Sequence, residues 1–572
     1  MSKQGKGPLI PVLLGLAGIG LIGFGAVESG LFALRAPDAA PVTAPRDGAP
    51  GGLGQPSGPN PPGGAPPTGV GGAPGHGTFT HPAPTPTGAA DRAALCPDCD
   101  VVVVTVCSLR RDHVGAYGVP VGAGLTPALD ALAAEGWRFD NAWSASTFTL
   151  AGLTAVLTGR FGSSTGVTGW DKGLVGDIST LPEVLGFYGY ETAAFTIDAP
   201  SGFRPDYGLD KGFQTMNIIL PPRDTPDGRH GPGKPGPGGE AVRPALDFLA
   251  KRQSDKPLFL MFHSRTAHYP FVLEDDTEEP TGLVHALYET GRQRVAENLP
   301  GNAGGTAQTG VVSIQRDEVQ ELTRSLGPPG LAVWWRTYAA AVTRADIDIA
   351  QLIDGLKRAG RWDKTIMLVV ADHGESLGDH GELLHGDAYW DSVVHVPLLL
   401  RVPGVQPQVS AALVSQVDVL PSLLELVGAV PPAGIDGASV VPLLRGEAEA
   451  VRHTTLIEGG VARAQSKTPR GAVIGGDWAL LVQDMGCGPD QRTAPRPPGE
   501  PFSCLYNLRE DPGQTKNQLE AQPEVVADLL GRWASYRASH AQEGSTLQLD
   551  PKFVDALQRT GYDFRAQEGG GP

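Results

Sequence analysis

Downstream of residue 99, short and mainly apolar runs alternate with longer amphipathic segments, and this alternation limits the folds open to the chain. The runs at 101–106, 258–263 and 366–372 read VVVVTV, LFLMFH and IMLVVAD. Such runs are typical of strands buried on both faces of a parallel sheet. Amphipathic segments that end at a glycine predict helices, at 126–136, 180–189 and 338–360. The pattern therefore predicts an α/β domain in which a mainly parallel sheet is sandwiched by helices.

Several stretches depart from this pattern and set the predicted domain boundaries. A Gly- and Pro-rich stretch at 221–240 predicts a mobile loop, and a polar insertion at 274–329 is long enough for a lid or a side wall. From residue 451 the pattern changes to shorter strands and a terminal helix. These changes predict an α/β domain, a small C-terminal α+β subdomain and a disordered tail, at 95–450, 451–565 and 566–572.

The N-terminal part of the chain predicts export from the cytoplasm. Residues 7–27 carry no charge and follow Lys3 and Lys6, a length and charge pattern that suit a membrane helix with its N-terminus inside. We therefore assign 1–36 to a membrane anchor, with a cleaved signal segment as the alternative. Residues 37–94 are dominated by Pro, Gly, Ala and Thr, which predicts a linker. The main domain is then periplasmic or extracellular, and secreted if the leader is cleaved.

Charge and cysteine content narrow the class of protein further. The formal net charge of −17 argues against a nucleic-acid partner. Of the five cysteines, Cys96 and Cys99 form a CPDC unit whose simplest interpretation is a local disulfide. Cys487 and Cys504 flank a Pro-rich loop and can pair across it. Cys107 is then left without a partner.

The third apolar run ends in Asp372-His373-Gly374, a sequence that suggests a metal site. A carboxylate and an imidazole at the carboxyl end of an α/β strand are well placed to hold a divalent ion. The alternative is a satisfied surface turn. The surrounding residues, 369–403, favour the metal, because a run of matches to a known metal-binding motif surrounds this pair.

Eight segments, taken in order, resemble the sulfatase family of the alkaline-phosphatase-like superfamily. They lie at 100–118, 125–144, 157–160, 180–195, 369–403, 414–428, 436–446 and 504–518. The resemblance implies the alkaline-phosphatase-like fold and chemistry on sulfate or phosphate esters. It says less about activity than about fold, because activity depends on the residues of the site.

By this resemblance, one divalent metal is held by an acidic residue after the first strand and by Asp372 and His373. At the first position the expected Asp is replaced by Cys107, which is followed by Ser108. Calcium, magnesium or manganese would be expected from the family, but a thiol is a poor ligand for such hard cations. Zinc accepts Cys, His and Asp, so Cys107 favours zinc. The alternative is that Cys107 is a small buried residue with no ligand role.

The nucleophile segment diverges from the family pattern. Sulfatases carry a Cys or Ser in a Cys/Ser-x-Pro-Ser-Arg run that matures to formylglycine. Counted back from 157–160, that position falls on Thr149, with Ala151 and Leu153 where the Pro and Arg are expected. Thr149 resembles instead the unmodified nucleophile of phosphoethanolamine transferases and lipoteichoic acid synthases. Its alternative role is that of a helix cap.

The remaining site positions are partly matched. His268 is similar to the family's substrate-side histidine, and His385 to the histidine that faces the ester or its leaving group. A late lysine is replaced by Ala479, which removes a cation. Three arginines lie in segments near the expected site entrance: Arg110, Arg111 and Arg160.

Two functions remain open on these residues. The first is a metal-dependent hydrolase or transferase of sulfate or phosphate esters, with Thr149 as nucleophile. The second is a catalytically degenerate relative that binds a ligand or partner, which the residues Cys107, Leu153 and Ala479 favour.

Overall fold

The structure, a computed structural model, describes the greater part of the chain beyond the predicted linker. The described residues are 93–197, 203, 206–219, 242–269, 316–386, 388–459, 470–483, 486–487, 502–540 and 545–546. All of them belong to one compact unit, residues 81–572. The predicted anchor, the loop at 221–240 and the tail lie outside the described residues, as does nearly all of the linker.

The strands are numbered here in chain order. They are β1 (Asp100–Val106), β2 (Trp137–Trp143), β3 (Lys172–Gly173), β4 (Glu191–Ile197), β5 (Thr215–Ile219), β6 (Leu258–Ser264), β7 (Thr365–Ala371), β8 (Ser376–Leu377), β9 (Leu383–Leu384), β10 (Leu398–Arg401), β11 (Gln408–Ser415), β12 (Thr454–Glu458), β13 (Gly471–Gly475), β14 (Trp478–Gln483), β15 (Phe502–Asn507) and β16 (Ser545–Thr546).

The helices follow the same order. They are α1 (Pro127–Ala134), α2 (Thr149–Thr158), α3 (Gly162–Thr165), α4 (Leu181–Phe187), α5 (Arg243–Lys251), α6 (Arg316–Arg358), α7 (Asp391–Val394), α8 (Val419–Val427), α9 (Val441–Leu444) and α10 (Pro523–His540). Short 3-10 turns lie at Arg111–His113, Gly115–Tyr117, Pro120–Gly122, Trp362–Lys364, Asp379–Gly381 and Gln416–Asp418.

Eight strands form the central sheet, in the order β11-β2-β10-β7-β1-β6-β4-β5. Among the described strands of this sheet, only β10 runs antiparallel to its neighbours. The three strands predicted from the apolar runs are the adjacent strands β7, β1 and β6 at its centre. Two groups of helices cover the sheet: α1 and α5 pack on α6, and α4 and α8 pack on α2. The predicted α/β fold with a mainly parallel sheet is therefore confirmed.

Local sequence explains where the predicted helices begin and end. At α4, the Thr180 side chain accepts from the Glu183 amide and the Glu183 carboxylate accepts from the Thr180 amide, a capping box. The third predicted helix is longer than expected, because α6 begins at Arg316 and continues through the Gly-Pro-Pro-Gly run at 327–330. The sequence predicts an insertion at 274–329 that includes the two prolines of this run, since proline disfavours a helix interior.

The small C-terminal subdomain is also confirmed as α+β. Strands β12 to β15 form an antiparallel sheet in sequential order. Leu529 and Trp533 of α10 pack on one face of this sheet. The other face contributes Ile474 and Tyr506 to an apolar cluster with Trp390 of the main domain. The C-terminal subdomain and the main domain thus share a packed apolar interface.

Disulfides join Cys96 to Cys99 and Cys487 to Cys504, while Cys107 is a buried free thiol. Both pairings agree with those predicted from the sequence. Among the residues that the structure describes, no helix combines the length and apolar character needed to cross a membrane.

Candidate functional site

The register of the three central strands brings the ends of β1, β6 and β7 to one level. Val106 lies opposite Ser264 on one side and Ala371 on the other. The residue that follows each strand therefore starts at the same edge of the sheet, and the Cys107 amide donates to the Ser264 carbonyl at 2.8 Å. Cys107 and Asp372, which are far apart in sequence, meet there because parallel strands end on one side.

Three buried side chains at this edge form a possible metal-binding group. The sulfur of Cys107, one ring nitrogen of His263 and one carboxylate oxygen of Asp372 lie within 4.8 Å of one another. Sequence reasoning missed His263, because a histidine in an apolar strand reads as a core residue. The signal was its place near the end of β6, but only the register with β1 shows which side chains it joins.

The predicted ligand His373 lies beside this group. Its Nε2 is 4.0 Å from Cys107 Sγ and 3.7 Å from Asp372 Oδ2. Its Nδ1–H donates to the Gly374 carbonyl at 2.8 Å, which leaves the lone pair on Nε2. Burial lowers the pKa of His373 to about 4, so the ring is neutral near pH 7 and can accept a proton or bind a cation.

Two buried atoms of the group indicate whether it can bind a cation. Asp372 Oδ1 accepts from the amides of Ser108 and His373, whereas Oδ2 has no hydrogen-bond partner among the described residues. Within the same part of the chain, His263 Nε2 has none either, and its Nδ1 lies 2.8 Å from Thr105 Oγ1. Buried polar atoms seldom lack partners. An ion bound by both atoms would satisfy them, so the group fits a divalent metal.

The Asp372 carboxyl group and the Cys107 thiol differ in their protonation near pH 7. Burial alone would raise the pKa of Asp372, but His373, His263 and hydrogen bonds to Cys107 and Ser108 lower it on balance. Burial, reinforced by the Asp372 charge, raises the pKa of the Cys107 thiol well above its ordinary value. The carboxylate is therefore ionised near pH 7, while the thiol must lose its proton when it binds a metal.

Thr149 is the first residue of α2 and not its cap. Phe148 occupies the N-cap position, and no side chain caps the helix there. The Thr149 hydroxyl lies 3.3 Å from His373 Nε2, to which it donates, and 3.3 Å from Cys107 Sγ. The alternative role predicted for Thr149, that of a helix cap, is therefore wrong. The positive end of the α2 dipole favours negative charge at this hydroxyl.

Close packing holds α2 against the end of β7. A Cβ atom added at Gly152 would lie 2.5 Å from the Asp372 carbonyl oxygen, so only glycine permits this approach. Buried Gln416 donates from Nε2 to the carbonyls of Ala371 and Asp372, at 2.6 and 2.8 Å. Its Oε1 accepts from the Ala145 amide at 2.8 Å. These contacts fix the distance between the hydroxyl and imidazole of the site.

The two predicted catalytic histidines lie beside each other, and one of them, His385, contacts His373. The His385 ring centre is 4.1 Å from that of His373 and 4.8 Å from that of His268. Glu375 Oε1 accepts from His385 Nδ1 at 3.0 Å, which fixes the tautomer and orientation of this ring. Burial and the nearby Arg265 lower the pKa of His268 well below its ordinary value. The side chains predicted as metal ligands or catalytic residues thus lie at one edge of the sheet: Cys107, Thr149, His268, Asp372, His373 and His385.

Other sequence features lie elsewhere. The Arg110 guanidinium pairs with Asp112 and Asp379, and donates to the Glu375 carbonyl, so it orders the loops beside the site. Arg160 follows the far end of α2 and donates to the Ala433 carbonyl, so it does not lie at the site entrance. Ala479 is buried in the apolar cluster of Trp390.

The comparisons with known proteins agree with this fold. A family model described as Sulfatase matches residues 100–429, more than half of the chain. N-acetylglucosamine-6-O-sulfatase of Bacteroides thetaiotaomicron is 25% identical over 374 residues, which cover 56% of this chain and 67% of the relative. Arylsulfatase A of Bos taurus is 25% identical over 523 residues, which cover 81% and 91%.

A solved structure gives the same result at the level of fold. The phosphonate monoester hydrolase of Agrobacterium radiobacter superposes with a TM-score of 0.56 at 20% identity, over 79% of this chain and 98% of the other. The site residues after β1 and β7, helix α2 and the small C-terminal sheet follow one another in the expected order. The chain belongs to the sulfatase family of the alkaline-phosphatase-like superfamily.

Proposed function

We propose that this protein is an exported, metal-dependent hydrolase or transferase of sulfate or phosphate esters, with Thr149 as its nucleophile. The observation that carries the proposal is the position of the Thr149 hydroxyl, 3.3 Å from both His373 Nε2 and Cys107 Sγ at the start of α2. Two relatives are named as sulfatases and one structural neighbour as a phosphonate monoester hydrolase, which supports this class of substrate.

The metal is held by Cys107, Asp372 and His373, as inferred from the sequence, and by His263 in addition. Sulfur, nitrogen and carboxylate oxygen together suit zinc better than calcium, magnesium or manganese, the ions that family resemblance alone would favour. When bound, such an ion polarises the ester oxygens and makes a neighbouring hydroxyl more acidic.

Thr149 attacks the sulfur or phosphorus of the ester through Oγ1. One bond forms between Oγ1 and that atom, and the bond to the leaving alcohol breaks. The Thr149 hydroxyl gives up its proton when it attacks, and the leaving alcohol takes one up. His385, oriented by Glu375, is proposed to donate the proton to the alcohol. Water then cleaves the threonyl ester in a hydrolase, or a second alcohol takes the group in a transferase. His268 is proposed to position the substrate.

A panel of aryl sulfates, phosphomonoesters and phosphodiesters, each with zinc, manganese or calcium, tests this activity. Thr149→Val keeps the side-chain volume and removes the hydroxyl, so turnover should fall about a thousandfold or more. Thr154→Val is the matched control, because Thr154 is a buried residue of the same helix whose hydroxyl donates to the Leu150 carbonyl. Turnover that survives in Thr149→Val would exclude this nucleophile.

Zinc content tests the ligands separately from turnover. The purified protein should retain about one zinc after dialysis, and zinc should raise the unfolding temperature by binding the native state. Cys107→Ser and His263→Asn should each lower the zinc content, whereas His540→Asn, on the exposed end of α10, should not. Equal zinc content in all four proteins would remove Cys107 and His263 from the site.

A degenerate, non-catalytic relative that binds a ligand or partner is the second candidate. Three observations favour it: a thiol replaces the first carboxylate at Cys107, and Leu153 and Ala479 are buried apolar residues where the family pattern carries cations. If every ester in the panel stays intact while the protein is folded and holds zinc, this second function is preferred.

Export is supported by the sequence of residues 7–27 and by two disulfides, which persist in oxidising compartments. A reporter that is active only outside the cytoplasm, fused after Pro86, should be active. Fractionation with and without high salt then distinguishes an anchored protein from a secreted one. A reporter that is active only in the cytoplasm would contradict export.

A further inference from the structure

Esters of sulfate and phosphate carry negative charge, and besides the proposed metal the sequence pattern located no basic side chain at the site to bind it. The late lysine of the family is Ala479, which is buried on the C-terminal sheet. Arg110 is engaged by two carboxylates, and the Arg111 guanidinium lies over the Tyr117 ring at 5.1 Å. Arg160 lies beyond the far end of α2.

Strand register places a different arginine at the site. Arg265 follows Ser264, which pairs with Val106 next to Cys107. One step earlier, His263 lies opposite Thr105, and their side chains are 2.8 Å apart on one face of the sheet. Because side chains alternate along a strand, Arg265 leaves the sheet on the same face as His263, at the level of Cys107.

Side-chain contacts agree with that placement. Nη2 of Arg265 lies 3.1 and 3.2 Å from the two ring nitrogens of His268. Arg265 is half-buried. Its guanidinium therefore lies beside the metal-binding group and the substrate-side histidine.

We propose that Arg265 binds the anionic group of the substrate, in the role that the missing cation at position 479 would otherwise have. A planar guanidinium can donate two parallel hydrogen bonds to a tetrahedral oxyanion. His268 then positions Arg265 as well as the substrate. This inference rests on the proposed function for the choice of ligand, but it concerns oxyanion binding, which does not require turnover.

Calorimetric titration of the full-length, zinc-loaded protein with inorganic sulfate and inorganic phosphate tests the proposal. Arg265→Gln should weaken binding of the preferred anion at least tenfold, as loss of a charge-assisted hydrogen bond does. Arg265→Lys should recover part of this affinity, because it restores the charge without the paired donors. Arg160→Gln is the matched control and should bind like the wild type.

The outcomes separate this inference from the proposed catalysis. Anion binding that depends on Arg265, in a protein that turns over no ester, upholds the inference and rejects catalysis. Ester turnover whose KM and sulfate inhibition are unchanged in Arg265→Gln overturns the inference and leaves catalysis in place. Equal anion affinity in the wild type and Arg265→Gln, or no anion binding by the wild type, also overturns it. Zinc content and unfolding temperature of each variant confirm that the fold is intact.

Discussion

Gly152 lies where helix α2 meets the end of strand β7, and a methyl group added there should push the helix away from the site. An alanine Cβ would stand 2.5 Å from the Asp372 carbonyl oxygen and 3.2 Å from its carbonyl carbon. Ordinary contacts of this kind are 3.4–4 Å, so the helix or the strand end must move by about 1 Å.

The expected energy combines two opposite effects. Overpacking in a rigid core costs about 1–3 kcal/mol. Replacing glycine by alanine within a helix recovers about 1 kcal/mol through helix propensity. Gly531→Ala is the matched control, because Gly531 lies in α10 with open space around the added methyl group. The unfolding free energies of the two variants should therefore differ by about 1–3 kcal/mol, with Gly152→Ala the less stable.

The same movement should have a larger effect on turnover than on the free energy of unfolding. Thr149 and His373 are 3.3 Å apart, near the limit of a hydrogen bond, so a separation about 1 Å larger breaks the contact. A misplacement of about 1 Å can lower turnover about a hundredfold. Denaturant unfolding gives the stability, and the ester panel gives turnover. If Gly152→Ala is stabilised as much as Gly531→Ala and keeps its turnover, this account of α2 is wrong.

Three further predictions concern other parts of the fold. Gln416→Leu removes three hydrogen bonds to buried backbone groups and should destabilise the protein by about 2–4 kcal/mol in denaturant unfolding; a change below 1 kcal/mol would contradict this. Burial and the Asp130 charge raise the pKa of Asp346 from 3.8 to about 6, although two amides at the start of α1 lower it. Because the folded state then binds this proton more tightly, stability falls as pH rises from about 4 to 6, by about 3 kcal/mol. Between pH 4 and pH 7, the unfolding free energy of Asp346→Asn should rise by that amount relative to that of the wild type. A difference that does not change with pH would refute this prediction. The disulfide between Cys487 and Cys504 closes a sequence separation of 17 and should contribute about 3 kcal/mol. The double alanine variant should unfold at lower denaturant, and reductant should shift the wild type more than this variant, which keeps the Cys96–Cys99 disulfide.

Features specified by local patterns could be predicted from the sequence. The three central strands follow from apolar runs at 101–106, 258–263 and 366–372, and α4 from its capping box at Thr180. The start of α6 could not be predicted, because the helix continues through a Gly-Pro-Pro-Gly run that local propensity treats as a break.

Features that depend on register were harder to predict. The position of His263 in the site follows from its alignment with Thr105, which no local pattern encodes. The chain also contains Asp-His-Gly twice, with different outcomes. Asp372 and His373 lie at the site, whereas Asp379 pairs with Arg110 and His380 stacks on Trp390. The two copies are identical in sequence, and they differ in that only the first one directly follows a strand of the central sheet.

X-ray absorption at the zinc edge of the purified protein tests the proposed metal site, since it reports both the presence of the metal and its ligands. We expect about one zinc with one sulfur neighbour at about 2.3 Å and nitrogen or oxygen neighbours at about 2.0–2.1 Å. Only Cys107 can supply that sulfur at the site, because the other four cysteines are paired in disulfides. The sulfur neighbour should disappear in Cys107→Ser. Protein that binds no zinc, or zinc bound by oxygen and nitrogen alone, would contradict the account.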